Sequence, residues 1–193
     1  MRATFPCKIT WRFAHQERML CSAKMGVTIH FEGKLNDEGA YEELLTSVSA
    51  IARMQSWLTE SIDPVQKALP RVRDEQNWDY TGLVKGIIVY MHEDCDPVRL
   101  EFDSELYIQE FTKTQFAGLE CHVKVIDLLK AIRPFFRELT VEDEGEFWKT
   151  NNRAILAAHL NRSRKAIEEE LRKTPSAQMK AKTPEGRIMD LLG

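Results

Sequence analysis

The stretch Gly26-Val27-Thr28-Ile29-His30-Phe31-Glu32 decides the fold that the sequence predicts. Apolar and polar residues alternate in it with a period of two, which is typical of a strand with one buried face. Gly33 ends this strand, and Asn36 or Asp37 then offers a short side chain that can cap a helix. The sequence therefore predicts a strand and then a helix over residues 38–55. The apolar stripe of that helix consists of Tyr41, Leu44, Leu45, Val48, Ile51 and Ala52.

Three further strands are predicted after this helix. Residues 83–91 are β-branched and almost continuously apolar, which favours a central strand. Residues 98–103 alternate apolar with charged side chains, so we expect a strand whose wet face carries Arg99, Glu101 and Asp103. A third strand over about 105–112 would complete an antiparallel meander. Residues 56–82 predict no regular element, and Trp57 and Trp78 are their expected anchors.

The second half of the chain predicts helices. Helical spacing of apolar residues covers 117–136, with Pro134 expected to bend or end the helix in its last turn, and a third helix covers about 152–173. A short edge strand over 139–141 and an acidic loop over 142–146 lie between them. The order β-α-β-β-β-α-(β)-α predicts an α+β fold, in which two to three helices cover one face of a mainly antiparallel sheet of about four to five strands.

Charge divides the chain into unequal parts. Residues 1–24 carry five basic and one acidic side chain, residues 25–148 carry twelve basic and twenty-four acidic, and residues 149–193 carry ten basic and five acidic. We therefore expect four parts: a basic N-terminal extension over 1–24, an α+β domain over 25–150, a C-terminal helix over 151–173 and a basic flexible tail over 174–193. Met25 is the natural start of the domain, and a targeting presequence is the alternative interpretation of residues 1–24. The charged ends are expected to contribute little to the interior.

Composition limits the class of protein. An apolar content of 43% suits a globular domain, and no apolar run reaches the eighteen or so residues that a membrane span needs. Cys7, Cys21, Cys95 and Cys121 form no C-x-x-C pair, which indicates neither a zinc site nor a disulfide framework. The sequence therefore predicts a protein of the cytoplasm, a reducing compartment.

The densest group of chemically capable side chains lies between residues 113 and 148. If the acidic loop folds over the second helix, Lys113, His122 and either Glu142 or Glu144 would converge as a general acid–base site. The alternative interpretation is that His122, on the apolar stripe of its helix, is a hydrogen-bonded core residue. Lys113 would then snorkel, Gln115 would cap the helix, and the 142–146 loop would be solvated.

Other chemistry is disfavoured by spacing. The run from His92 to Asp96 lacks the ligand spacing of a zinc or calcium site, so we predict no metal and no cofactor. None of the common nucleotide-binding, serine-hydrolase or zinc-protease motifs occurs. The acidic body would repel phosphate, which disfavours nucleic-acid binding by the core. The basic stretch over 162–182 has no aromatic residues for base stacking.

Several short motifs resemble a group of small, uncharacterised bacterial proteins. They are the stretch from Met25 to Gly33, Lys113-Thr114-Gln115-Phe116, His122-Val123 with Leu128-Leu129, and Asp143-Glu144-Gly145-Glu146-Phe147-Trp148. The resemblance covers about residues 25–150 and implies a bacterial cytosolic domain, but it brings no reaction. If that group shares a site, the resemblance implies these matching positions: Lys113, Gln115, His122, Glu144 and Trp148.

Two hypotheses of function follow. The first is a non-enzymatic acidic binding protein that meets a basic protein partner, as an immunity protein or an antitoxin does. Its expected contacts are Glu101, Asp103, Glu105, Glu142, Asp143, Gln115 and Trp148. The alternative is a small enzyme or ligand-binding domain with a pocket around Lys113, His122, Glu144 and Trp148. A third interpretation is that the net negative charge of residues 25–148 only keeps the protein in solution.

Overall fold

The computed structural model describes residues 26–74, 76–174, 178–184 and 186–192. The predicted extension over 1–24 lies outside the described residues. Strand β1 spans Thr28–Leu35 and continues past Gly33, where the sequence predicts its end, because Gly33 pairs with Ile108 of the neighbouring strand. Helix α1 spans Glu38–Gln55, as predicted. The Asp37 carboxylate caps α1 by accepting a hydrogen bond from Ala40 N at 2.9 Å. The α+β class predicted from the sequence is confirmed.

The next strands form a three-stranded sheet and a separate two-stranded sheet. They are β2 (Leu58–Leu69), β3 (Val72–Arg73), β4 (Gln76–Asn77), β5 (Tyr80–Tyr90) and β6 (Val98–Phe102). β2, β5 and β6 form an antiparallel sheet with β5 in the centre, as predicted for that strand, and β3 pairs only with β4. β2 was not predicted, because it is polar and contains Pro64. An edge strand tolerates both, and the pairing register shifts between Ile62 and Val65, where Pro64 lies.

A second antiparallel sheet begins where the chain leaves β6. β7 (Tyr107–Lys113) pairs with β1 instead of β6, and β8 (Phe136–Asp143) pairs with the other side of β1. The predicted single meander is therefore wrong, since two three-stranded sheets replace it. The change of sheet occurs at the turn over 103–106, where Oδ1 of Asp103 accepts from Glu105 N and Tyr107 N. Leu106 adopts a φ of 60° in the same turn.

The helices cover the apolar faces of both sheets. α2 spans Gly118–Ile132 and passes into a 3-10 turn, Arg133–Phe135, at Pro134. After β8 come the short α3 (Phe147–Thr150) and then α4 (Arg153–Lys173), which Asn152 caps. One apolar core joins both sheets, α1, α2 and the first half of α4. Within the described ranges no helix is both long and apolar enough to cross a membrane.

The C-terminal part corrects two expectations. Leu156 of α4 is fully buried in the core, so this basic segment does contribute to the interior. Strands β9 (Gln178–Lys182) and β10 (Ile188–Leu192) form a hairpin where the sequence predicts a flexible tail. The hairpin is held because Arg187 pairs with Glu110 at 2.5 Å and Ile188 N donates to the Asp96 carboxylate.

Candidate functional site

His122, the predicted acid–base residue, lies in the core. Its exposed fraction is 0%, because α2 turns it inward beneath the 142–146 loop. Nδ1 lies 2.7 Å from Oγ1 of Thr114, and Nε2 lies 3.1 Å from Oδ1 of Asp143. Among the described residues no acceptor forms a hydrogen bond of good geometry with Nε2, although the Asp143 carboxylate lies within ion-pair distance. The Thr114 hydroxyl, the His122 imidazole and the Asp143 carboxylate thus form a continuous row of contacts. A substrate could reach the ring only if the 142–146 loop were displaced.

Asp143 holds the loop in place. Oδ1 accepts from Gly145 N at 2.7 Å, and Oδ2 accepts from Trp148 N at 2.8 Å. Burial pushes the pKa of Asp143 upward, but His122 and these two backbone donors outweigh burial, so that the pKa is lowered overall. The Asp143 side chain is 1% exposed and is therefore not free to meet a partner. This corrects the predicted Asp143 contact, and of the 142–146 loop only Glu142 and Glu146 are exposed.

Glu144 and Gln115 anchor the start of β1. The Glu144 carboxylate accepts from Thr28 N at 3.0 Å, while Glu144 N donates to Thr28 O at 3.1 Å. Oε1 of Gln115 accepts from Val27 N at 2.9 Å, so Gln115 binds β1 rather than capping α2. These contacts place the loop against the start of β1 and give Glu144 and Gln115 a structural role, whereas no described cavity is lined by Lys113, His122 and Glu144 together.

Lys113 and Trp148 are the two remaining candidates of the region around His122. Lys113 pairs with Thr28 across β7 and β1, and its backbone N donates to the Asp96 carboxylate at 3.2 Å. Trp148 is half-buried against the core. Of the candidates around His122, the structure thus brings Gln115 and Glu144 together at the start of β1, next to the Thr114–His122–Asp143 line.

Glu101 and Asp103 do not lie on a solvent-exposed face of the strand. Their exposed fractions are 1% and 4%, and all five residues of β6 are buried. Glu101 is bound by Arg99 at 3.0 Å and by Lys67 at 2.5 Å, and Asp103 is bound by Arg71 at 2.7 Å. The prediction that they are exposed contacts is wrong, because cations from β2 and from the segment after it cover them. Glu105 is exposed as expected.

A cavity of about 190 Å³ lies elsewhere, on the outer face of the β7-β1-β8 sheet. Its floor is two cross-strand rows: Phe111–His30–Glu142 and Gln109–Glu32–Thr140. Its roof consists of residues 70–74 and 76–79, which we call the arm, and it lines the cavity with Pro70, Arg71, Val72, Asn77 and Asp79. Gln109 fastens the arm to the floor, because its amide accepts from Val72 N and donates to Val72 O, at 2.9 and 3.1 Å.

The cavity is acidic. Its lining carboxylates are Glu32, Asp79, Glu110 and Glu142. Oε2 of Glu32 accepts from the Tyr107 hydroxyl at 2.9 Å and from Nε2 of Gln109 at 2.7 Å, so only neutral donors bind it. Burial, followed by the Glu32 charge and hydrogen bond, raises the pKa of Tyr107 to about 12.

Arg71 forms the rigid part of the roof. It is 3% exposed, and its guanidinium carbon lies 4.8 Å from the ring centroid of Tyr107 and 5.2 Å from that of Tyr80. The ion pair with Asp103 offsets its charge. Among the described residues no acceptor binds Nε of Arg71, which is a buried donor in the cavity wall.

Sequence reasoning missed most of this cavity. Of the predicted contacts only Glu142 lines it. The alternating polar positions of β1, His30 and Glu32, were available as a signal, since they mark the face of the strand that points away from the core. The sequence of the arm contains no comparable signal, because residues 70–79 follow neither a helical nor a strand period.

No protein-family model matches the chain, and neither a curated protein nor a solved structure matches it. The resemblance to uncharacterised bacterial proteins therefore stays a prediction. Within the described residues no group of three or more His, Cys, Asp or Glu side chains is arranged to hold a metal ion.

Proposed function

We propose that this chain is a non-enzymatic binding protein that recognises a basic protein partner, in the manner of an immunity protein or an antitoxin. The observation that carries the proposal is the cavity floor, where Glu32 and Glu142 have no cationic partner among the described residues. Carboxylates arranged in this way attract a basic surface and speed its encounter.

Ion pairs within the chain indicate which part of the acidic domain would bind the basic partner. Arg187 pairs with Glu110, and Arg153 with Glu120, so the basic C-terminal segment neutralises part of the body. Glu101 and Asp103 are neutralised by ion pairs with Lys67, Arg99 and Arg71. Glu142 and Asp79 remain exposed at the cavity, which favours this face over the rest of the surface.

The enzyme alternative receives less support. General acid–base work needs a group within hydrogen-bonding reach of the substrate. His122 is fully buried and already has Thr114 and Asp143 as neighbours.

Capture of partners by the immobilised full chain, followed by titration of the purified partner, tests the proposal. We expect a basic partner whose affinity falls between about 0.05 M and about 0.5 M salt, because exposed charges are screened. Glu142→Gln should weaken the interaction, and Glu168→Gln, which removes an exposed carboxylate from α4, serves as the matched control. A partner whose affinity is indifferent to ionic strength and to Glu142→Gln would contradict the proposal.

A further inference from the structure

We infer that two copies of this chain form a two-fold dimer in which the β2 strands pair with each other, antiparallel, along their outer edges. This interaction surface is separate from the cavity, since no residue of β2 lines the cavity, and it does not depend on the proposed function. Three features of β2 support it: an edge that the chain itself does not use, exposed apolar side chains around that edge, and a sequence that is complementary to itself.

β2 is a long strand with one hydrogen-bonded neighbour. It pairs with β5 over almost its whole length, and no other described strand pairs with its second edge. Of its twelve residues only Leu69 is buried, so both faces of the strand are largely exposed. The backbone N–H and C=O groups along such an edge are a template for pairing with another strand.

Exposed apolar side chains are concentrated on this pair of strands. Among the described residues seven large apolar side chains are exposed, and four of them belong to β2 and β5: Leu58, Val65, Leu83 and Tyr90. Leu58 is 76% exposed and lies opposite Tyr90. Single exposed apolar residues are ordinary on a protein surface, but a cluster of them marks an interaction site.

A bulge in the middle of β2 limits the registers in which two such strands can pair. Ile62 lies opposite Gly86 and Val65 lies opposite Val84, and the register shifts between them. The two β5 residues are two positions apart and share a face of the sheet, so Ile62 and Val65 share that face although they are three positions apart. Residues directly opposite each other in an antiparallel pair must share a face. A two-fold axis at the centre of the bulge meets this requirement in both halves of the strand.

With the axis between Asp63 and Pro64, the two halves of β2 match each other. Glu60 then lies opposite Lys67 of the second copy, and the symmetry forms this ion pair twice. Opposite charges that face each other across two strands stabilise a sheet, whereas like charges destabilise it. The other opposed pairs bring no like charges together: Leu58 with Leu69, Thr59 with Ala68, Ser61 with Gln66, and Ile62 with Val65.

Pro64 and Lys67 are compatible with this pairing. A proline in an edge strand opposes association because it has no backbone donor, but Pro64 lies at the axis, and residues 58–62 and 65–69 remain as uninterrupted halves. Lys67 binds Glu101 at 2.5 Å, and the three donors of its ammonium allow it to bind Glu60 of the second copy as well.

Sedimentation velocity of the full chain at concentrations from about 1 µM to about 100 µM tests the inference. We expect a concentration-dependent dimer with twice the mass of the chain. A monomer over the whole range would overturn the inference.

Two double variants at exposed positions test the register. Ser61→Glu with Gln66→Glu places like charges opposite each other twice in the dimer, whereas Ser61→Lys with Gln66→Glu places opposite charges at the same two positions. The dissociation constant of the first variant should exceed that of the second about tenfold or more, because two repulsive pairs replace two attractive ones. Equal dissociation constants would overturn the inference.

A single variant tests the apolar contact. Leu58→Ser should raise the dissociation constant about tenfold, since the symmetry removes two side chains that the dimer covers. Met189→Ser, at a residue of β10 that is 41% exposed, is the matched control and should leave the dissociation constant unchanged. A dimer that is indifferent to Leu58→Ser, or that Met189→Ser weakens equally, would place the interface elsewhere and contradict the inference.

Discussion

Nη1 of Arg71 lies 2.7 Å from Oδ2 of Asp103, and the two side chains are 2% and 5% exposed. This buried ion pair joins the arm to the turn at which the chain passes from one sheet to the other. Arg71 also donates to Tyr107 O at 3.1 Å, so one side chain ties together the arm, the turn and β7. This charge pair therefore holds the cavity roof together with the Gln109 hydrogen bonds and the contact between the Trp78 and Tyr107 rings.

Asp103→Asn should destabilise the fold by about 3–5 kcal/mol, because removal of one partner leaves a buried charge unpaired. The substitution keeps Oδ1, which accepts from Glu105 N and Tyr107 N, so the loss reports the ion pair rather than the turn. Urea unfolding of the full chain measures it. Glu105→Gln is the control, since its pair with Lys34 is exposed and should be worth less than about 1 kcal/mol. A loss for Asp103→Asn no larger than that of the control would contradict the prediction.

The lowered pKa of Asp143 predicts a specific loss of stability in acid. A carboxyl whose pKa is lower in the folded state contributes stability above its unfolded pKa, 3.8, and that contribution disappears as the pH falls through the folded value. The free energy of unfolding should therefore decline below about pH 4, and Asp143→Asn should show a smaller decline. Urea unfolding at a series of pH values compares the two chains. Asp127→Asn, on the exposed face of α2, should follow the unmodified chain, and an identical acid profile for Asp143→Asn would refute the assignment.

Arg187→Gln should release the β9–β10 hairpin from β7. Arg187 pairs with Glu110 at 2.5 Å and donates to Phe111 O at 2.7 Å, so its loss removes both contacts. Hydrogen exchange followed by mass spectrometry should show faster exchange over 178–192, with α1 unchanged. Arg172→Gln, an exposed substitution at the end of α4, is the control. Unaltered exchange in the hairpin would mean that other contacts hold it.

Cys95 and Cys121, twenty-six positions apart in the sequence, are neighbours in the core. The hydrogen bond between their thiols, and then burial, raises the pKa of Cys95, whereas the same hydrogen bond lowers the pKa of Cys121. Since the thiolate is the nucleophile, iodoacetamide should alkylate Cys121 faster than Cys95 at neutral pH. Peptide mapping of the native chain measures both rates. Cys95→Ala should slow the reaction at Cys121 and Cys95→Ser should not; faster alkylation of Cys95 would show that the thiols are polarised in the opposite sense.

The sequence by itself determined the elements that have a strong local signal. The period-two stretch at β1, the helical stripes of α1, α2 and α4, and the cap Asp37 all appear where residue spacing and capping chemistry place them. These features depend on neighbours within one turn or one strand, which is why a pattern along the chain reveals them. The burial of His122 is of the same kind, because its helical position puts it on the apolar face.

Only the tertiary structure decided which strands pair and which charges are covered. β7 pairs with β1 rather than with β6, and Glu101 and Asp103 are buried because Lys67 and Arg71 reach them from distant positions. An aspartate or glutamate in the sequence does not show whether its carboxylate is solvated or paired with a cation. The exposure of such a side chain depends on contacts with residues distant in the sequence. The cavity joins β1, β7, β8 and the arm, and no pattern local to any one of them describes it.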